Sequence, residues 1–205
     1  GGNLALGLAA RRPGEVGPLA LLATPWDFHA DHSLARAALN AMRPSLEVMI
    51  AAQGMLPVDV LQALFNGLNP NLVGSKFRDL ATVSATSRKF ANFVALEDWL
   101  NDGVPLAGPV ARECLFDWYG KNTPGRGVWA ISGTFVDPTK LDQPALVVVP
   151  KHDYIVPPDS VLPLVDALPN ATLRTVKAGH IGMIAGGQSA TLLHRPLADW
   201  IAGQL

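Results

Sequence analysis

QPALVVVPKHDYIVPPDS, residues 143–160, contains the strongest strand signal in the chain. Its apolar run from Leu146 to Val149 lies between two prolines, and valine favours extended backbone. A short run that is apolar at every position is typical of a strand covered on both faces, as in a parallel sheet. This stretch therefore predicts a central strand of an α/β fold.

The segments around this strand extend the pattern. Residues 159–168 follow it with helical apolar spacing, and Asp159 or Ser160 is the expected N-cap. Residues 171–176, ATLRTV, form the next predicted strand, and residues 18–24, PLALLAT, form an earlier one. Alternating strands and helices of this kind predict a mostly parallel sheet with helices on both faces.

Other segments complete the predicted α/β domain. Residues 3–11 have the spacing of an apolar helix, and residues 190–205 that of an amphipathic one. Residues 127–138, GVWAISGTFVDP, predict one or two short strands.

A long helical insert follows the first strand. Residues 34–122 show helical spacing without a clear strand, with interruptions expected at Pro44, Gly54 and Pro57. An insert of this size is too large for a connection, so we expect it to cap the carboxyl ends of the strands, where ligands bind. We expect Trp99 and Trp118 within it to pack in the core or the cap rather than to contact substrate.

Composition limits the function classes. The 205 residues, 49% of them hydrophobic, suffice for one domain with a substantial core. A net charge of −1 gives no electrostatic basis for binding nucleic acid or an anionic membrane, and no apolar run is long enough for a membrane span. Cys114 is the single cysteine, which excludes an internal disulfide and favours a reducing compartment, the cytoplasm.

Two titratable residues follow neighbouring predicted strands. Asp153 comes just after the strand that ends near residue 150, and His180, in the glycine-rich loop AGHIGM, just after the strand that ends at residue 176. Because parallel strands end at the same edge of a sheet, we expect the two side chains to meet. The carboxylate would orient the imidazole, whose other nitrogen could take a proton from a nucleophile.

Four other candidates are weighed against this pair. Asp27 also follows a strand and could orient the histidine instead. His29, Asp31 and His32 have metal-like residue types in one loop, but without a further ligand we predict no metal. Cys114 lies mid-helix among apolar neighbours, which favours a buried, inert thiol. His152 could compete for a carboxylate, although we expect a solvent-facing loop residue.

The expected nucleophile does not occur within residues 1–205. The chain contains no G-x-S-x-G or G-x-C-x-G motif, yet it opens with Gly1-Gly2 and an apolar helix, as the downstream half of a nucleophile elbow does. We therefore expect an upstream strand and a nucleophile two residues before Gly1; a mature protein that starts at a helix, or a tag remnant, is the alternative. The order nucleophile, Asp, His is that of the α/β-hydrolase fold.

Four segments carry a more specific resemblance: GGNLALGLAA, ALEDWLNDGVPLAGPV, LDQPALVVVPKHDYIVPPDS and AGHIGMIAGG. They resemble the carboxyl-terminal part of the polyhydroxyalkanoate synthases, which have an α/β-hydrolase fold with a helical cap. In that family the elbow reads G-x-C-x-G-G, so Gly1 and Gly2 match its last glycines, Asp153 its aspartate and His180 its histidine. The Lys151-His152 pair departs from the family, where a smaller residue is commoner.

The resemblance implies an acyltransferase that polymerises 3-hydroxyacyl-CoA through a Cys-Asp-His triad, without a cofactor. Its expected partners are the acyl-CoA and the growing polyester, with a homodimer left open, in the cytoplasm or at polyester granules. An esterase or depolymerase of the same fold, or a non-catalytic homologue, remains an alternative. Residues 1–205 would be a partial catalytic domain, inactive alone because a base without a nucleophile transfers no acyl group.

Overall fold

A computed structural model of the chain describes residues 1–30, 33–68 and 70–204. In chain order the described elements are α1 (Gly2–Arg11), β1 (Leu19–Leu22), α2 (Ser33–Gln53), β2 (Met55–Leu56), α3 (Val58–Leu68), α4 (Pro70–Leu80), α5 (Arg88–Asn101), β3 (Leu106–Ala107), α6 (Gly108–Arg112), β4 (Ala130–Ile131), β5 (Thr134–Phe135), β6 (Ala145–Pro150), α7 (Pro158–Ala167), β7 (Ala171–Val176), α8 (His180–Ala185) and α9 (Arg195–Ala202).

Three shorter helical segments join these elements. Helix α6 continues as the π-helical segment Glu113–Gly120, a single 3₁₀ turn spans Pro138–Lys140, and the π-helical segment Ala190–His194 leads into α9. The chain divides into two compact units, one formed by Gly1–Ala37 together with Asp117–Leu205 and the other by Ala38–Phe116.

The first unit contains a parallel sheet with the strand order β1-β6-β7. Leu21 pairs with Val147, and Val147 pairs with Leu173. All six residues of β6 are buried, which explains why its sequence is apolar at every position. The predicted mostly parallel sheet is therefore confirmed, and the predicted strand 171–176 matches β7 residue for residue.

Side chains from the helices of this unit pack on the sheet. The main core cluster contains Leu6 and Ala9 of α1, Val161 and Leu164 of α7, and Met183 of α8. Each is 2% exposed or less, as expected of a core packed to the density of an organic crystal. This packing holds α1 and α7 against the strands and places the loops after β1, β6 and β7 at one end of the sheet.

The second unit is mainly helical, as predicted, but it also contains two strands. Strands β2 and β3 pair antiparallel through Met55 with Ala107 and Leu56 with Leu106. Runs of two residues carry too little periodicity to be recognised in a sequence, and here the pairing is long-range.

Two local predictions were wrong. Pro44 lies inside α2 and does not interrupt it. The 21-residue helix loses one backbone hydrogen bond at Pro44 but buries Leu39, Leu46 and Ile50. Helix α7 begins at Pro158 after an N-cap at Pro157, rather than at Asp159 or Ser160, because proline fits the first helical turn.

Candidate active site

The loops after β6 and β7 bring Asp153 and His180 into contact. Nδ1 of His180 lies 2.7 Å from Oδ2 of Asp153. The Asp153 side chain is fully buried, whereas that of His180 is 30% exposed. The two residues are 27 positions apart, so only the parallel pairing of β6 with β7 explains their contact. The structure thus has the geometry that strand order predicted for this pair.

The backbone that follows Asp153 fixes its carboxylate. Oδ1 accepts hydrogen bonds from the N–H groups of Ile155 and Val156, each 2.9 Å long. Oδ2 faces the histidine, so both oxygens of the buried carboxylate have partners. Because the turn holds one oxygen, the other can point in only one direction, towards Nδ1 of His180.

Backbone hydrogen bonds beyond the strands hold the two loops together. The N–H of Lys151 donates to the carbonyl of Val176 at 2.9 Å, and the N–H of His152 donates to that of Ala178 at 3.0 Å. These bonds extend the β6–β7 ladder up to the residues that precede Asp153 and His180. The site therefore rests on the sheet and not on a free loop.

His180 is the first residue of helix α8, with Gly179 as its N-cap. The prediction of a glycine-rich loop at this position was wrong. Despite its glycines, AGHIGMIAGG contains the short helix α8, and Met183 of this helix is buried. The helix fixes the backbone of His180, so its ring is positioned both by its own main chain and by Asp153.

The contact with Asp153 determines where the imidazole carries its proton. An ionised carboxylate only accepts hydrogen bonds, so Nδ1 must be the donor. In the neutral ring Nε2 then has the free lone pair, and it belongs to a side chain that is partly open to solvent. This is the arrangement of a general base that can take a proton from a nucleophile.

Asp27 lies in a different hydrogen-bond network. Its Oδ1 accepts from the N–H of His29 at 2.8 Å and from Nδ2 of Asn122 at 2.7 Å. Oδ1 of Asn122 in turn accepts from the buried N–H of Phe28 at 3.0 Å. The structure therefore places Asp27 against an amide, whereas the carboxylate at His180 is that of Asp153. Sequence analysis did not identify Asn122.

The loop with metal-like residue types, for which no metal was predicted, is only partly described. Nε2 of His29 lies 3.2 Å from the carbonyl oxygen of Gly120, while Asp31 and His32 are outside the described residues. Within the described parts of the chain, no three His, Cys, Asp or Glu side chains are grouped to hold a metal ion.

Cys114 lies in the π-helical segment Glu113–Gly120 and is partly buried. Burial raises the pKa of its thiol, and the nearby Glu113 carboxylate raises the pKa further. A thiol with a raised pKa is mostly protonated at neutral pH and is a poor nucleophile. This supports the prediction that Cys114 is not the reacting cysteine.

The two tryptophans of the insert differ. Trp118 packs on Trp129, with ring centroids 5.1 Å apart, and on Phe28 at 5.5 Å, as a packing role requires. Trp99 is 66% exposed, so the expectation that it packs in the core or the cap was wrong. Helix α5 has no buried residue, and its sequence pattern could not reveal that. His152 is exposed, as expected of a loop residue.

Sequence comparison identifies relatives across nearly the whole chain. The "Poly(3-hydroxyalkanoate) polymerase subunit PhaC" of Synechocystis sp. is 31% identical over 210 residues, which cover 98% of this chain and 56% of that protein. The chain is thus similar to poly(3-hydroxyalkanoate) polymerases over nearly its whole length. The protein of the same name from Allochromatium vinosum is 26% identical and covers 98% of the chain. No family model matches the chain.

The chain spans just over half the length of these polymerases, 56% and 57%. Structure comparison shows the fold. An epoxide hydrolase from Bacillus megaterium, solved with an inhibitor, superposes with a TM-score of 0.53 at 10% sequence identity, covering 98% of this chain and 66% of the hydrolase. With the parallel sheet and its flanking helices, this confirms the predicted α/β-hydrolase fold. Among the described helices, none has the length and apolar character needed to cross a membrane.

Proposed function

We propose that this chain is the carboxyl-terminal part of a polymerase that transfers 3-hydroxyacyl groups from coenzyme A to a growing polyester. Asp153 and His180 act in a Cys-Asp-His triad whose cysteine lies two residues before Gly1. The observation that carries the proposal is the 2.7 Å contact between Nδ1 of His180 and the buried Asp153, in a chain similar to such polymerases along 98% of its length.

The first half-reaction is a thioester exchange. Nε2 of His180 takes the thiol proton, and the thiolate attacks the acyl carbon of the substrate. The bond to the coenzyme A sulfur breaks, and this sulfur leaves with the proton held by the imidazole. Asp153 stabilises the imidazolium through Nδ1, which is the role of a buried carboxylate in such a triad. One thioester replaces another, so the step is nearly neutral in energy.

The second half-reaction forms the ester bond. Nε2 of His180 takes the proton from the 3-hydroxyl group of another acyl unit. The hydroxyl oxygen attacks the acyl carbon on the cysteine, and the thiolate leaves and regains a proton from the imidazolium. The polyester thus grows by one unit, and no cofactor enters. A base that both accepts and returns a proton in this way needs the fixed tautomer described above. We place this activity in the cytoplasm, at the granules that the polymer forms.

Release of coenzyme A from 3-hydroxybutyryl-CoA tests the proposal in the protein translated from the complete natural gene. We expect His180→Gln to reduce turnover by about 10³-fold or more, because the ring that shuttles the proton is gone. His152→Gln is the matched control, since His152 is an exposed histidine beside Asp153. Cys114→Ser is expected to retain turnover because its thiol is mostly protonated at neutral pH.

Three results would contradict the proposal. Equal losses in the two histidine variants would remove the basis for His180 as the base. Loss of turnover in Cys114→Ser would make that thiol the nucleophile. Release of free 3-hydroxybutyrate without polymer would favour the esterase, for which the same Asp–His pair is suited.

A further inference from the structure

Thr24, two residues after the end of β1, has a buried hydroxyl without a partner. The residue is 2% exposed, and its Oγ1 has no hydrogen-bond partner among the described residues. A buried hydroxyl in a folded protein nearly always has a partner, because leaving it unpaired opposes folding. The position of this hydroxyl therefore indicates a group that completes it.

The Thr24 side chain lies against the first turn of α1. A Cβ atom on Gly2 would overlap the Thr24 side chain and lie only 2.7 Å from its Cβ. Position 2 thus has to be glycine for the helix to come this close to the strand end. Asn3 ties the same two segments together, since its Nδ2 donates to the carbonyl of Pro25 at 3.0 Å.

The residue before Thr24, Ala23, has a strained backbone conformation. Ala23 has φ +44°, in the left-handed region that residues with a side chain seldom adopt. Its N–H still donates to the carbonyl of Val148 at 2.9 Å, so the sheet holds the residue in place. Such strain persists where the surrounding structure enforces it, and it is concentrated at functional sites.

We propose that Thr24 is a positioning residue for the nucleophile. Its hydroxyl hydrogen-bonds the backbone of the turn that precedes Gly1 and so sets how far the cysteine sulfur lies from Nε2 of His180. The inference rests on the proposed function, which places the cysteine two residues before Gly1. The buried hydroxyl, the glycine contact and the strained Ala23 all lie where that turn would enter α1.

The test compares side chains that differ only in the hydroxyl, in the protein translated from the complete natural gene. Thr24→Val keeps the shape and removes the hydroxyl, while Thr24→Ser keeps the hydroxyl. We expect Thr24→Val to lower kcat for coenzyme A release at least tenfold with KM within twofold, and Thr24→Ser to stay within threefold of wild type. The rate of alkylation of the nucleophile by iodoacetamide should fall in Thr24→Val and not in Thr24→Ser.

If Thr24→Val does not fold, Thr24→Ser can be compared with Thr24→Ala instead. Both variants lack the threonine methyl group, so they differ only in the hydroxyl. Wild-type kcat and alkylation rate in the hydroxyl-free variants would overturn the inference while leaving the proposed function intact. Absence of coenzyme A release in wild type would overturn both. A loss of kcat in Thr24→Ser with wild-type kcat in Thr24→Val would show that the methyl packing matters and the hydroxyl does not, which also overturns the inference.

Discussion

The loops after β1 and β6 contain the same local turn around an aspartate, but a different residue contacts the carboxylate in each loop. Asp27 and Asp153 each follow a strand of the parallel sheet, and each accepts a hydrogen bond from the N–H two residues further on. This local turn fixes one carboxylate oxygen in both loops. The chain segment that meets each carboxylate then differs, because Asn122 reaches Asp27 and His180 reaches Asp153.

That difference separates a structural site from the proposed catalytic one. The two groups that donate to Asp27 are a side-chain amide and a backbone N–H, and neither of these groups acts as a proton carrier in catalysis. At Asp153 the partner is an imidazole, the side chain that most often acts as a general base in enzymes. An aspartate after a strand is thus an ambiguous signal until its partner is known.

The same substitution, Asp to Asn, should affect turnover very differently at the two carboxylates. Asp153→Asn should reduce coenzyme A release in the complete protein by about 10³–10⁴-fold, because the new amide N–H₂ faces Nδ1 and forces the proton onto Nε2. Asp27→Asn should change turnover less than threefold. The hydrogen bonds from His29 and Asn122 both use Oδ1, which asparagine retains. Steady-state kinetics of the two variants measures the difference.

Comparable losses of turnover in the two variants would contradict the distinction between Asp153 and Asp27. They would mean that Asp27 also supports the base or that the two networks are coupled. Far-ultraviolet circular dichroism of both proteins serves as the control for folding.

A smaller effect concerns Asn122, which has φ +55° and is 7% exposed. Asn122→Ala should lower the free energy of unfolding by about 2–3 kcal/mol, because the buried N–H of Phe28 loses its acceptor and alanine is strained at this φ. Asn122→Gly should cost about 1 kcal/mol less, since glycine tolerates the conformation. Urea denaturation measures both.

Asn170→Ala provides a matched control, since Asn170 also donates to a carbonyl, that of Asp142, but is exposed. Its loss should be below about 1 kcal/mol. Equal losses of free energy of unfolding in Asn122→Ala and Asn170→Ala would contradict a stabilising role for the buried contact between Asn122 and Asp27.

The Asp153–His180 contact was predictable because it follows from strand order alone. Residues 143–150 and 171–176 are recognisable strands, and the carboxyl ends of adjacent parallel strands share an edge. The Asp27–Asn122 contact spans 95 residues with the whole helical unit in between. No local pattern connects its two ends, so it could not be predicted. The short helix at His180 was missed because glycine lowers helical propensity.

The smallest expected change in stability is at Asp137. Its carboxylate also accepts a hydrogen bond from the N–H two residues further on, but its side chain is partly exposed. Its Oδ1 accepts from the N–H of Thr139 at 3.1 Å and from the hydroxyl of Thr139 at 2.6 Å, while Lys140 lies 3.3 Å from Oδ2. The Thr139 hydroxyl is the main cause that lowers the pKa of Asp137 from its ordinary 3.8. A lowered pKa in the folded state stabilises the protein above pH 3.8, and this contribution is lost as the pH falls through the folded value.

Because the Asp137 side chain is 37% exposed, solvent screens its interactions, and Asp137→Asn should lower the free energy of unfolding at pH 7 by less than about 1 kcal/mol. The difference between variant and wild type should shrink when urea titrations are repeated below pH 4. A loss at pH 7 as large as that of Asn122→Ala would mean that the turn itself, and not the buried partner, stabilises these loops. A small loss that disappears in acid would instead place the stability of the Asp27 loop in its contact with Asn122.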